Sequence, residues 1–128
     1  MARILLIEPD CLLAKNITAA FKRAGHQTDW CVDAQAAINT ADAATPDLVI
    51  LDLLLSFHGG IEFLYELRSY PEWVELPVII FSSLPSEEVN FASSAFVQLG
   101  VNYFLPKIST GLAQLVTAAN QLLQPVSG

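Results

Sequence analysis

Four polar residues stand where chemistry could be done: Glu8, Asp52, Ser82 and Lys107, each at the end of an apolar run. The runs are Arg3-Ile4-Leu5-Leu6-Ile7, Asp47-Leu48-Val49-Ile50-Leu51, Val78-Ile79-Ile80-Phe81 and Asn102-Tyr103-Phe104-Leu105-Pro106. Apolar runs without two-residue alternation predict strands buried on both faces of a parallel sheet. In such a sheet all four polar residues gather on one edge, outside which open α/β proteins place their ligands. Lys107 is the only basic residue from Ser69 to the C-terminus, in a span otherwise charged only by acids. That marks it as a counter-charge set against Glu8 and Asp52. Two carboxylates, a hydroxyl and an ammonium suit cation binding, and attack by a carboxylate on an anion whose repulsion the ammonium offsets.

The elements that must position these residues follow from periodicity and punctuation. After Glu8, Pro9 and Asp10 open a helix in which Leu12, Leu13, Ile17, Ala20, Phe21 and Ala24 recur at helical spacing, and Gly25 stops it. His26 to Val32 is predicted as a strand, and Asp33 caps an Ala-rich helix running to about Ala43, ended by Thr45-Pro46. Ser56-Phe57-His58-Gly59-Gly60 reads as a loop, followed by a helix with Ile61, Phe63, Leu64, Leu67 and Arg68. Ser86-Glu87-Glu88 caps a fourth helix that carries Val89, Ala92, Phe96, Val97 and Leu99 and stops at Gly100. A last helix is predicted from Thr110 to Leu123, before Pro125. Strand and helix alternate five times, which predicts a single α/β domain over residues 1–128, a doubly wound parallel sheet with five helices.

Composition narrows the function classes. The chain has 128 residues, 53% of them hydrophobic, enough for a core without disulfide or metal staples. Thirteen acids against six bases give a net charge of −7, which argues against a nucleic-acid surface. No apolar stretch is long enough to span a membrane and no signal peptide precedes the first strand, so a cytoplasmic protein is expected. Cys11 and Cys31 lack metal or redox spacing and are expected to be reduced, buried thiols.

Ile4-Leu5-Leu6-Ile7-Glu8, Pro46-Asp47-Leu48-Val49-Ile50-Leu51-Asp52, Leu76-Pro77-Val78-Ile79-Ile80-Phe81-Ser82 and Tyr103-Phe104-Leu105-Pro106-Lys107, in this order, resemble the receiver domain of two-component response regulators. The resemblance runs from Arg3 to about Leu123. It implies a flavodoxin-like fold with strand order 2-1-3-4-5. It further implies a signalling protein rather than an enzyme, with Asp52 accepting a phosphoryl group from a histidine kinase or phosphotransfer protein in a phosphorelay. Ser82 would bond a phosphoryl oxygen, Lys107 would be its charge partner, and Phe104 the aromatic switch. Mg²⁺ would sit on Glu8, Asp52 and the Leu54 backbone carbonyl, with Asp10 a further candidate ligand. A downstream protein would read the switched surface.

The sequence departs from the family where the second acid of the metal-binding pair is expected: Glu8-Pro9-Asp10 puts Pro9 there, and Pro9 has no side-chain oxygen. Mg²⁺ asks for near-octahedral oxygen coordination, so its binding is expected to be weakened. Asp10 reads more simply as a helix N-cap. Ile108 replaces the proline usual after the lysine, Ser56 replaces a common proline and Gly59 a common aspartate. His58 reads as an exposed loop histidine, and Trp30 and Trp73 as core or edge packing.

Two hypotheses therefore stand. The first is a phospho-accepting receiver, the second a pseudo-receiver that binds protein independently of phosphorylation. A flavin-binding reading fails because Glu8-Pro9-Asp10 would repel a phosphate. A phosphohydrolase of the double-aspartate type fails because Leu54 stands where its second acid should be. With no output domain after the last helix, either a single-domain regulator or a piece of a larger protein is expected. The last helix has no charged residue, and with Phe91, Phe96 and Val97 nearby an apolar homodimer face on the last two helices is expected. Leu54 and Leu84, each two residues beyond a site residue, are expected to keep water from a phosphorylated Asp52.

Overall fold

The computed structural model describes residues 1–54, 59–83 and 94–123. Its elements are β1 (Arg3–Ile7), α1 (Cys11–Arg23), β2 (Gln27–Cys31), α2 (Ala34–Ala43), β3 (Leu48–Leu51), α3 (Gly60–Ser69), a short 3-10 helix (Pro71–Trp73), β4 (Val78–Ser82), α4 (helical at residues 94–98), β5 (Val101–Pro106) and α5 (Leu112–Leu123). The five strands form one parallel sheet in the order β2-β1-β3-β4-β5, the doubly wound, flavodoxin-like arrangement.

Strand composition decides position in the sheet. β3 and β4 are buried at every residue, and β1 at all but Arg3. Such strands cannot lie at an edge without exposing large aliphatic side chains to water. β2, with Gln27 and Trp30 exposed, takes one edge. Alternate residues of the central strands feed two cores. Leu5, Ile7, Val49, Leu51, Val78 and Ile80 pack against α2, α3, Trp73 and Phe96. Ile4, Leu6, Leu48, Ile50, Ile79 and Phe81 pack against Ala14, Ile17 and Phe21 of α1 and Leu115, Ala118 and Ala119 of α5.

Local chemistry fixes the ends of the elements. Asp10 caps α1, its Oδ1 accepting from the backbone N–H groups of Leu12 (3.0 Å) and Leu13 (3.2 Å). Asp33 caps α2 through the Ala36 N–H at 2.8 Å. Gly25 (φ 90°) ends α1 in the left-handed region that disfavours a side chain. Gly60 is needed for closeness: a Cβ there would lie 2.7 Å from Leu53 Cα and 3.1 Å from the Asp52 carbonyl oxygen. The chain behind Asp52 is thereby held against the start of α3.

Several boundaries and placements differ from the sequence expectation. Ser82 is the last residue of β4 rather than the first beyond it, and α5 starts at Leu112, two residues later than predicted. Cys31 is buried, but Cys11 is exposed, because it opens α1 on the side turned to solvent. Trp73 is buried in the core, whereas Trp30 is 38% exposed on the edge strand. The register of β4 on β5 shifts between Val78 and Ile79, and the Asn102 side chain accepts the Val78 N–H at 2.9 Å. His58, Leu84, Phe91 and the cap at Ser86-Glu87-Glu88 lie outside the described residues.

Candidate functional site

Strand register assembles the site. Ile7 pairs with Leu51 and Leu51 with Ile80, so Glu8, Asp52 and the end of β4 follow one another across the sheet edge. The backbone ladder continues past the strands: Asp52 N–H donates to the Ile7 carbonyl (3.0 Å) and Lys107 N–H to the Ser82 carbonyl (2.9 Å). All four expected residues meet in one cleft, and Asp52 is the point at which they converge. Its Oδ1 accepts from Ser82 Oγ (2.8 Å) and from the Leu54 N–H (3.0 Å). Its Oδ2 accepts from Lys107 Nζ at 2.7 Å. The same ammonium lies 2.8 Å from Glu8 Oε1.

Burial makes this network electrostatically demanding. Glu8 is 1% exposed, Asp52 3% and Ser82 0%. Burial pushes the Glu8 carboxyl above its ordinary value, and the Lys107 hydrogen bond only partly opposes this. Burial alone would lower the Lys107 ammonium, but hydrogen bonds and charge from Asp52 and Glu8 outweigh it and hold its pKa above the ordinary value. Lys107 is therefore a firmly protonated cation between two carboxylates. The Phe81 ring, 6.0 Å from Nζ, adds a weak contact.

The loop after β1 is tied down at three points. Glu8 Oε2 accepts the Asp10 N–H (3.0 Å), Asp10 Oδ1 caps α1, and Trp30 Nε1–H donates to the Glu8 carbonyl at 2.8 Å. The bond from Trp30 was not legible in the sequence, where nothing beyond edge packing distinguished this indole. Phe104 is partly buried and stacks on Phe96 of α4 with ring centroids 5.9 Å apart. Phe96 is thus core rather than surface, while Val97 is 80% exposed. Around the mouth stand aliphatic side chains left in solvent: Leu12 (70%), Leu54 (50%) and Ile108 (96%).

The donor set does not fit Mg²⁺ as it stands. Both oxygens of Glu8 and both of Asp52 already accept hydrogen bonds, and the ammonium bridges the pair. Pro9 contributes no side-chain oxygen, and Asp10 is engaged as the cap of α1. Among the described residues no three acids, histidines or cysteines come together as a metal site. What the cleft does offer is a carboxylate with an ammonium and a hydroxyl aimed at it, the groups that a carboxylate nucleophile needs beside an anionic phosphoryl group.

Comparison with known proteins agrees with this geometry. The response regulator receiver domain family matches residues 4–120. The transcriptional activator protein PfeR of Pseudomonas aeruginosa is 32% identical over 124 residues, covering 97% of this chain and 38% of that protein. The KDP operon transcriptional regulatory protein KdpE of Escherichia coli is 29% identical over 107 residues, covering 84% of this chain and 45% of that protein. The chain thus spans less than half the length of either relative. In fold it is similar to the signal receiver domain of a signal transduction histidine kinase from Syntrophus aciditrophicus (TM-score 0.85, 22% identity, 99% of this chain and 93% of that one). It is also similar to the chemotaxis response regulator CheY4 of Vibrio cholerae (TM-score 0.84, 20% identity, 96% and 99%).

Proposed function

Since this chain belongs to the response regulator receiver domain family, we propose that it is a phospho-accepting receiver in which Asp52 takes a phosphoryl group from a histidine kinase or phosphotransfer protein. The observation that carries the proposal is the convergence of Lys107 Nζ and Ser82 Oγ on the two oxygens of one buried carboxylate, at 2.7 and 2.8 Å. An Asp52 oxygen attacks phosphorus, the P–N bond to the donor breaks as the P–O bond forms, and the leaving nitrogen takes up a proton. Lys107 offsets the charge of the incoming group. The Ser82 hydroxyl, which donates to Asp52 before transfer, turns to a phosphoryl oxygen afterwards. Turning Ser82 frees space beside β5, into which Phe104 swings from its stack on Phe96. That shift moves α4 and so alters a surface a downstream protein reads.

Receiver domains generally take Mg²⁺ at the phosphorylation site and interact with histidine kinases or phosphotransfer proteins. The residues of this cleft make a poor Mg²⁺ site, so no step here is routed through the ion. No helix among the described residues is long and apolar enough to cross a membrane, in keeping with a cytoplasmic signalling role. A homodimer through the last two helices draws support from α5, which carries no charged residue on a chain of net charge −7.

Incubation with phosphoramidate, with and without Mg²⁺, followed by intact mass, tests the proposal. Wild type is expected to gain one phosphoryl group and Asp52→Ala none. A chain that stays unlabelled with every donor and cation, while folded, would give the case to the pseudo-receiver.

A further inference from the structure

The cleft already contains a cation, and it is part of the chain. Resting on the phosphoacceptor reading above, we propose that Lys107 is the resident cation of this site, held where it neutralises Glu8 and Asp52 together, and that the cleft takes no Mg²⁺ at millimolar concentration.

Charge is the first support. Two buried carboxylates and one ammonium leave a single residual negative charge, and the ammonium contacts both acids at 2.8 and 2.7 Å. Mg²⁺ binds carboxylate oxygens at about 2.1 Å in a strict octahedron and gives up its water reluctantly. To enter, it must strip at least one oxygen from Lys107 and then sit beside a like charge. Each of those bonds is charge-assisted and short, the kind least readily given up.

Ligand supply is the second support. Pro9 is exposed at the turn between the acid and the helix and brings no side-chain oxygen. Asp10 is exposed, and its Oδ1 is held on the Leu12 and Leu13 N–H groups at the start of α1. The chain between them cannot easily rotate, because the Pro9 ring fixes its own backbone torsion, Trp30 holds the Glu8 carbonyl and Glu8 holds the Asp10 N–H. The turn that would have to rearrange to bring in a ligand is thus bonded at both Glu8 and Asp10.

The test uses the intact chain titrated separately with MgCl₂ and MnCl₂ and needs no phosphodonor. Trp30, bonded to Glu8, reports by fluorescence, a Trp30→Phe chain assigns the signal, and manganese broadening of the Asp10 and Leu54 amide resonances reports by NMR. Wild type and Pro9→Ala are expected to stay flat through the millimolar range. Pro9→Asp, which restores an oxygen ligand, is expected to saturate at least about 10-fold below the wild-type limit, the scale of effect that even an outer partner has on metal affinity. Lys107→Gln, which removes the resident cation, is expected to bind as well. Saturable wild-type binding with broadening at Asp10 and Leu54 would overturn the proposal, as would a folded Lys107→Gln chain that stays flat. Should Lys107→Gln fail to fold, Pro9→Asp decides in its place, and a flat response there would overturn it. Absence of labelling in the separate phosphoramidate experiment would count against the phosphoacceptor reading alone, since the cation titrations contain no phosphodonor.

Discussion

Two half-buried cations sit at opposite ends of β5 and are held in opposite ways. Lys107, beyond β5, answers to two carboxylates. Arg68, at the end of α3, donates instead to backbone carbonyls: Nε to Leu99 (2.8 Å), Nη1 to Trp73 (2.7 Å) and Nη2 to Gly100 (3.3 Å). Burial works against both charges. At Arg68 it lowers the pKa, whereas at Lys107 the acids reverse it. Arg68 serves as a clip, filling the unpaired carbonyls where α4 gives way to β5 at Gly100, whose φ of 70° ends the helix. The difference is one of what is left behind: remove the clip and carbonyls turn to water, but remove Lys107 and two buried negative charges face each other.

That contrast predicts unequal costs. Lys107→Met should destabilise the fold by about 3–5 kcal/mol, the range for stranding a buried charge, and adding Glu8→Gln to it should recover much of the loss. Arg68→Met should cost about 1–3 kcal/mol, the price of carbonyls left without donors. Urea denaturation at neutral pH measures both. Equal costs would break the comparison, because the acids would then not be what distinguishes the two cations.

pH sharpens it further. A base whose pKa is raised in the folded state contributes stability that is fully present below its ordinary value, 10.5 for lysine, and that is lost as pH rises through the raised value. Glu8 follows the same sign in a lower pH window. Its carboxyl is raised in the folded state, so its ionisation costs stability between 4.5 and the raised value, and acidification toward 4.5 restores that part. Denaturation midpoints followed into the alkaline range should fall in wild type from about pH 10.5 upward. In Lys107→Met that fall should shrink, since the group that titrates is gone. An unchanged alkaline limb would assign it to other lysines or tyrosines.

The two ends also differ in how much of them the sequence disclosed. Glu8, Asp52, Ser82 and Lys107 were legible because each ends an apolar run, and a parallel sheet turns that one-dimensional regularity into a shared edge. The central strands announced themselves in the same way. Arg68 could be placed on α3 but its role could not be read, since its partners are backbone carbonyls 31 and 32 residues away in sequence, and any residue has a carbonyl. The bond from Trp30 to Glu8 was hidden for the same reason. Cys11 was misjudged because small apolar residues beside a helix cap read as core, whereas the rotation of α1 about its axis decides which of them face water. The β4–β5 register shift depends on one side chain, Asn102, replacing a ladder bond, which no periodicity records.

The smallest expected effect concerns the lifetime of the phosphorylated state, and it separates the two ends without unfolding either. Hydrolysis of an aspartyl phosphate needs a water in line with the P–O bond, and a polar side chain near its path helps to orient it. Leu54, half exposed, has its N–H on Asp52 Oδ1 and so stands at the mouth of the cleft, and Ile108 next to Lys107 extends the apolar rim. Neither can orient water, and both restrict its approach. Slow loss of the phosphoryl group is therefore expected in wild type, and Leu54→Asn should shorten the half-life by about tenfold, below the full contribution of a placed acid–base group. Arg68→Met, acting at the far end of β5, should leave the half-life unchanged even though it costs more stability than Leu54→Asn. Intact mass followed over time after removal of phosphoramidate gives all three lifetimes. Equal decay in wild type and Leu54→Asn would show that the rim does not control water, and faster decay in Arg68→Met would show that the clip at one end of the strand is felt by the chemistry at the other.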